Sequence, residues 1–372
     1  MVSGTYSERL IRFVTVSKHW FFLIFATLLF SAHADEQLTV VSWGGSYAKA
    51  CKDGYIDPFA TESGVKVHLA DYNGGLAQVR AQVESGNVHW DVIDVETQDL
   101  ILGCDEGLFE PLTDLHLPQG LDGSDPSNDF LPGAITECGV ATLVGAGVIA
   151  YNSEGFKSEP PSTIDDFFDL DKYPGKRGMR RTPIVNLEWA LIATGVEVTD
   201  VYDVLSTIEG LNSAFDKLDT IKDLIVFWEA GAQPPQLLAD QEVVMTSAYN
   251  GRIFNAQVVE EQPFVIIWDG HARDYGHWAI ISGSTNISVA EKFIQYAARS
   301  ESLAAVSNRI SYAPSRKSSW ELVGQHVEMD VNMQEHMPTH PENSKRYFTI
   351  NSEWWAEHKD DLTERFSAWV LQ

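Results

Sequence analysis

The sequence predicts an α/β fold arranged in two lobes. Segments with strand character alternate with segments of helical spacing after residue 35. The chain has 372 residues, more than one simple core accommodates. Neither an internal repeat nor a long flexible linker is visible, so the lobes must be joined by short crossings.

The chain begins with a leader pattern. Arg9, Arg12 and Lys18 form a positive flank ahead of the apolar run "WFFLIFATLLF", residues 20–30. That run falls short of the about 20 apolar residues a membrane span needs. It ends in "SAHADEQ", where Ala32-His33-Ala34 fits a small-x-small cleavage rule. Residues 1–34 therefore read as a signal peptide cleaved near Ala34, and the mature protein as exported to the periplasm. An uncleaved anchor is the alternative.

The elements follow in order. "LTVVSW" is β-branched and reads as a strand, and "SYAKACKDGYIDPFATES" has helical spacing up to Gly64. "GVKVHLADY" is a strand, "LAQVRAQVES" an amphipathic helix, "WDVIDVE" a continuous apolar strand with an acidic end, and "TQDLILGCDEG" a short helix. "CGVATLVGAGVIAYNS", residues 138–153, is apolar and extended, either a core strand or a crossing between lobes. "PPSTIDDFFDLDKYPGKRGMRR" reads as a turn, a capped helix and a basic loop, with helices near 186–194, 199–206 and 210–220 after it. "LIVFW" and "EVVMTSAY" are buried strands, and "PFVIIWDGHARDYGHWAIISG" is two strand-like pieces around a polar bend. Residues 287–300 and the Trp-rich tail are helical.

Charge and motifs narrow the function. A net charge of -27 argues against nucleic acid, whose phosphates need a basic face. The histidines lack ligand spacing, so no metal is expected. No serine-hydrolase elbow, zinc-protease helix, Walker loop or full dinucleotide fingerprint is present, and no cofactor is expected. A carboxylate-based hydrolase remains a competing class, since acid pairs are not visible as a motif. After export, Cys104 and Cys138 can pair and leave Cys51 over, although spacing alone leaves other pairings open.

The order "VVSWGGSY", "PFATESGVKV", "VESGNVHWDVIDVE", "KRGMRR", "LLADQEVVMTSAYNGR", "HWAIISG" and "ISYAPSRK" resembles the periplasmic solute-binding proteins of ABC importers, in the spermidine/putrescine-binding group. The resemblance spans nearly all of the mature chain. It implies a type II fold with two mixed sheets flanked by helices and a hinge. One lobe would comprise 35–147 plus about 277–312, the other about 148–276 plus 313–372. It also implies a monomeric binding protein, not an enzyme, that passes a small amine to a permease in the inner membrane. The first ligand implied is a polyamine.

Site residues follow from the same match. Trp43 corresponds to the family's first-strand aromatic, with Gly44 and Tyr47 beside it. Glu96 falls at a polar contact position, and Tyr249 and Tyr312 at aromatic ones. Aromatic faces attract ammonium groups and carboxylates pair with amines. Each residue also has a structural reading. Trp43 and Tyr47 could be core aromatics, and Asp94 a cap at the end of an apolar strand. Glu229 could be a helix N-terminal charge, Asp274 a hinge turn residue, and Arg181 a surface ion pair. The chain departs from the family where Arg180 and Arg181 replace acids and where Asp274-Tyr275-Gly276 stands for a Trp-x-Asp pattern. An arginine in the cleft favours a ligand with a carboxylate, such as an amino acid or 4-aminobutyrate.

Overall fold

The structure is a computed structural model. It describes Met1 and residues 36–156 and 158–372. The expected signal peptide lies outside the described residues. Among the described residues no helix is long and apolar enough to cross a membrane.

The strands are β1 (Gln37–Ser42), β2 (Lys66–Asp71), β3 (Val92–Glu96), β4 (Val140–Asn152), β5 (Arg177–Arg180), β6 (Ile225–Trp228), β7 (Met245–Tyr249), β8 (Phe264–Ile280) and β9 (Tyr347–Thr349). They form one hydrogen-bonded path in the order β2-β1-β3-β8-β4-β7-β5-β6, with β9 added on β8. The two mixed sheets expected from the sequence merge because β4 and β8 are long. At 13 and 17 residues they serve both halves. The apolar stretch before Asn152 is thus both a core strand and a crossing. β8 keeps the polar bend of the sequence as an irregularity. Gly147 pairs with Ala272 and Ile149 with Ile267, so residues 268–271 bulge out of the ladder.

β1 and β3 run parallel, as do β5 and β7. The run "KRGMRR", expected as a basic loop, instead contains β5 between β6 and β7. A charge can sit there because Arg177 is satisfied by backbone: its guanidinium donates to the carbonyls of Phe167, Gly175, Asp169 and Tyr173. Backbone acceptors offset the desolvation that would otherwise keep a guanidinium out of the interior.

The two largest apolar cores flank the long strands. The first gathers Leu38, Val40, Trp278 and Ile280 with Phe293 and Ile294 of helix Ile287–Ala297. The second gathers Ile149, Phe167, Leu187 and Trp189 with the C-terminal helix Ser352–Leu371. That helix inserts Trp355, whose Nε1 donates to Glu188 Oε1, while Lys359 reaches Asp99, whose helix packs Leu100 into a third cluster with Val41 and Ile93. The stretch after residue 313 does not all side with the second core, as the sequence reading assumed. Arg316 makes a buried ion pair with Asp129, and helix Lys317–Trp320 packs against helix Ser300–Ser307.

Cys104 and Cys138 form a disulfide that ties helix Thr97–Asp105 to the approach of β4, and Cys51 is a free, buried thiol. The bridge spans 34 residues. A closed loop of that size restricts the unfolded chain by about 3–4 kcal/mol. Cys104→Ala/Cys138→Ala should lower the urea midpoint accordingly, and reductant should then have no further effect. An unchanged midpoint would show that the bridge contributes nothing.

Candidate ligand-binding site

The ends of β1, β3, β5 and β7 converge where the halves meet, around a cavity of about 100 Å³. Side chains at the carboxyl ends of strands line this crevice, as in other open α/β sheets. Its floor is the middle of β4 and β8, where Gly145 pairs with Asp274 and Gly147 with Ala272.

Each half contributes in turn. Trp43 follows β1 and lies 4.7 Å, centroid to centroid, from Tyr72. Asp94 and Glu96 alternate onto one face of β3. Gln98 stands in the first turn of the next helix. Arg180 ends β5, Tyr249 ends β7, and Arg252 lies one helical turn beyond Tyr249.

Glu96 and Arg180 are the centre of the polar network. Arg180 Nη1 donates to Glu96 Oε1 at 2.8 Å and to Tyr249 Oη. Tyr249 Oη donates to the same Glu96 oxygen at 2.7 Å, and Gln98 Nε2 donates to Glu96 Oε2 at 2.9 Å. Burial alone would raise the Glu96 pKa. The Arg180 charge and the Tyr249 hydroxyl outweigh it, so the carboxyl sits below its usual value. Arg180 and Glu96 are 20% and 17% exposed, a desolvated pair open to the cavity.

Asp94 and Asp274 behave differently. Burial pushes Asp94 up to about 7, against the opposing donors Tyr47 and Trp43. Burial, with the nearby Glu96 charge, pushes Asp274 up to about 8. Tyr47 Oη donates to Asp94 Oδ2, and Thr97 Oγ1 donates to Asp274 Oδ1 at 2.9 Å. Asp94 Oδ1 and Gln98 Oε1 are buried acceptors with no partner among the described residues. At mildly acidic pH the lining therefore sets two guanidiniums, Arg180 and Arg252, beside an ionised Glu96, with Asp94 and Asp274 held toward the neutral form.

The glycines beside Trp43 have a structural use. Arg252 Nη1 donates to the Gly44 carbonyl at 2.7 Å and Nη2 to the Trp43 carbonyl at 2.9 Å. A Cβ on Gly45 would lie 2.7 Å from Arg252 Nη1. Gly45 also has φ of +56°, a conformation that favours glycine.

Most sequence-predicted residues meet here. Trp43, Tyr47, Asp94, Glu96, Tyr249, Asp274 and Tyr312 all line the cavity, and Tyr312 packs edge-on against Tyr47 at 5.4 Å. Gly44 contributes its carbonyl to Arg252 and is not part of the lining. Glu229 also lines the cavity, at its exposed edge, where it is 69% exposed and pairs with Arg181 at 3.6 Å. Arg181 is outside the cavity altogether. Adjacent residues of a strand point to opposite faces, so the arginine that enters is Arg180. Sequence reasoning missed Arg252, Gln98 and Val185. Only Arg252 carried a signal, its three-residue spacing from Tyr249 at the start of a helix.

The model of the bacterial extracellular solute-binding proteins matches residues 54–339. The chain belongs to this family. This solute-binding protein is 42% identical to the gamma-aminobutyric acid-binding protein of Pseudomonas aeruginosa, over 93% of this chain and 95% of that protein. Among solved structures it resembles the PBP MotA from A. tumefaciens B6 in complex with glucopine, with a TM-score of 0.81, 27% identity and coverage of 90% and 99% of the two chains. It also resembles a GABA receptor, with a TM-score of 0.76, 28% identity and coverage of 90% and 98%. The polyamine group expected from the sequence is not supported at this level. Structures described as belonging to spermidine/putrescine ABC transporters align at 15% and 19% identity and share the fold alone. The protein is thus a substrate-binding component of an ABC transporter, and its family's role is to bind a solute.

Proposed function

We propose that this solute-binding protein captures a short ω-amino acid, with 4-aminobutyrate as the first choice, and delivers it to a permease in the inner membrane. The carrying observation is that one cavity offers both halves of a zwitterion site. Of the Arg180 guanidinium, only Nη1 donates to a described residue, which leaves the rest of the fork for a carboxylate. The unpartnered Asp94 Oδ1 and Gln98 Oε1 supply acceptors for an ammonium, with the Trp43 face beside them. A polyamine brings two or more positive charges and no negative one. It would leave the Arg180 fork without a carboxylate and bring its charges against two guanidiniums, Arg180 and Arg252. The relative that binds gamma-aminobutyric acid supports the same choice.

In this reading 35–147 plus 277–312, with residues 313–320 packed on them, act as one lobe, and 148–276 plus the C-terminal helix Ser352–Leu371 as the other. Their closure over the ligand excludes water and forms the surface the permease meets. A thermal-shift panel tests the ligand, because binding to the folded state raises the midpoint by mass action. 4-Aminobutyrate should raise it, and putrescine, spermidine and choline should not. A larger shift with putrescine than with 4-aminobutyrate would overturn the proposal. Trp43→Ala should weaken 4-aminobutyrate by about 1–2 kcal/mol in calorimetry if a desolvated ammonium meets the ring face. Unchanged affinity would remove Trp43 from the site.

A further inference from the structure

Val185 has φ of +71° and ψ of −37°. A positive φ is uncommon outside glycine and a genuine outlier for a β-branched residue. The pair of angles approaches the rare, strained γ-turn, with φ near about +75° and ψ near about −65°. Such strain persists only where the surroundings over-determine it, and it gathers at ligand clamps.

The surroundings here do so. Asn186, 1% exposed, donates from Nδ2 to the carbonyls of Arg180 and Thr182. Pro183 stiffens the chain just before, and the Val185 carbonyl accepts from Trp189 N at 2.9 Å. The segment between β5 and helix Asn186–Ile192 is thereby pinned at both ends. The result is a valine turned into the cavity. Val185 is among the lining residues, and both its methyl groups lie 3.7–3.8 Å from where a Cβ on Gly147 would stand, over the floor of β4. Ile184, Ala272 and Ile350 are the other apolar residues of the lining contributed by this part of the chain and by β8 and the segment after β9.

We propose that Val185 is the specificity-determining residue that limits ligand length, admitting the four-carbon ω-amino acid and rejecting the chain one methylene longer. The proposal rests on the zwitterion reading above. In that reading Arg180 holds the ligand's carboxylate, and Asp94 and Gln98 accept from its ammonium. Its methylenes must then fit the apolar side of a cavity of about 100 Å³, which the isopropyl group narrows. Glycine at this position would be free of both the methyl groups and the backbone cost.

The test measures dissociation constants of the full-length chain for 4-aminobutyrate, 5-aminopentanoate and 6-aminohexanoate in the wild type, V185G, V185A and V185I. In V185G the ratio of affinities should move toward 5-aminopentanoate by about tenfold or more, the size of a methylene discrimination in an apolar pocket. V185A keeps the strained backbone and should move the ratio in the same direction. V185G should melt no lower than V185A, and V185I should weaken 4-aminobutyrate while remaining folded. If the wild type binds 4-aminobutyrate and both V185G and V185A keep its order and spacing of affinities, the length limit is overturned and the ligand reading stands. If the wild type binds none of the three acids, the ligand reading fails and the length limit with it.

Discussion

Replacing Arg180 with methionine should weaken binding of 4-aminobutyrate by about 100-fold or more. Truncating one member of a desolvated charge pair typically costs about 2–5 kcal/mol, much of it from the partner left behind. Here the partner is Glu96, which loses its 2.8 Å contact while remaining four-fifths buried beside Gln98 and Tyr249. The free protein should therefore also lose stability, by about 3 kcal/mol. A second substitution separates the two effects. Arg180→Met/Glu96→Gln removes the orphaned charge and should recover most of the urea midpoint, while affinity stays lost because no guanidinium remains at the end of β5. Arg180→Lys should not restore affinity, since a point ammonium cannot serve Glu96, Tyr249 and a carboxylate together. Wild-type affinity in Arg180→Met would exclude Arg180 from the site.

The importance of Arg180 was only partly legible. "WDVIDVE" showed a buried strand with an acidic end, and period-two alternation put Asp94 and Glu96 on one face. Residues at the ends of apolar strands, such as Trp43 and Tyr249, were equally readable. The choice between Arg180 and Arg181 was not. It turns on a single residue of register in β5, whose basic composition hid it as a strand. That strand forms because its neighbours β6 and β7 supply the ladder and buried carbonyls satisfy Arg177. Arg252 meets carbonyls more than 200 residues away in sequence, a contact that spacing cannot announce. Nothing in "TPIVNLEW" marks a valine with positive φ, because the constraint comes from the Asn186 side chain. The ligand class was misdirected for a related reason. Segment order reports the fold, which binders of different solutes share, whereas of the two arginines in place of acids Arg180 lines the cavity.

Binding of 4-aminobutyrate should release protons near pH 6 and stop doing so above about pH 8. The folded protein holds Asp94 up to about 7 and Asp274 up to about 8, both above the ordinary carboxyl value of 3.8. For an acid raised in this way the neutral form is the one the empty fold favours. Its contribution to stability is fully present below the ordinary value and is lost as pH rises through 7 and then 8. An arriving ammonium reverses the preference, because a cation beside the carboxyl favours the ionised form. Below pH 7 the proton must therefore leave as the ligand enters, and affinity should climb with pH by up to about tenfold per unit for one proton. The charged groups acting here are Glu96, which holds Asp94 and Asp274 up, Asp99, which adds to the rise of Asp274, and the cations Arg180 and Lys359, which act on Glu96. Calorimetry at pH 6 in buffers of different ionisation enthalpy reads the proton count directly. Asp94→Asn and Asp274→Asn then divide the effect, and the variant that abolishes release identifies the carboxyl that meets the ammonium. Proton uptake, or no linked proton at pH 6 in the wild type, would mean that the ammonium sits away from both. The cavity would then be reading its ligand through Arg180 and the aromatic faces alone.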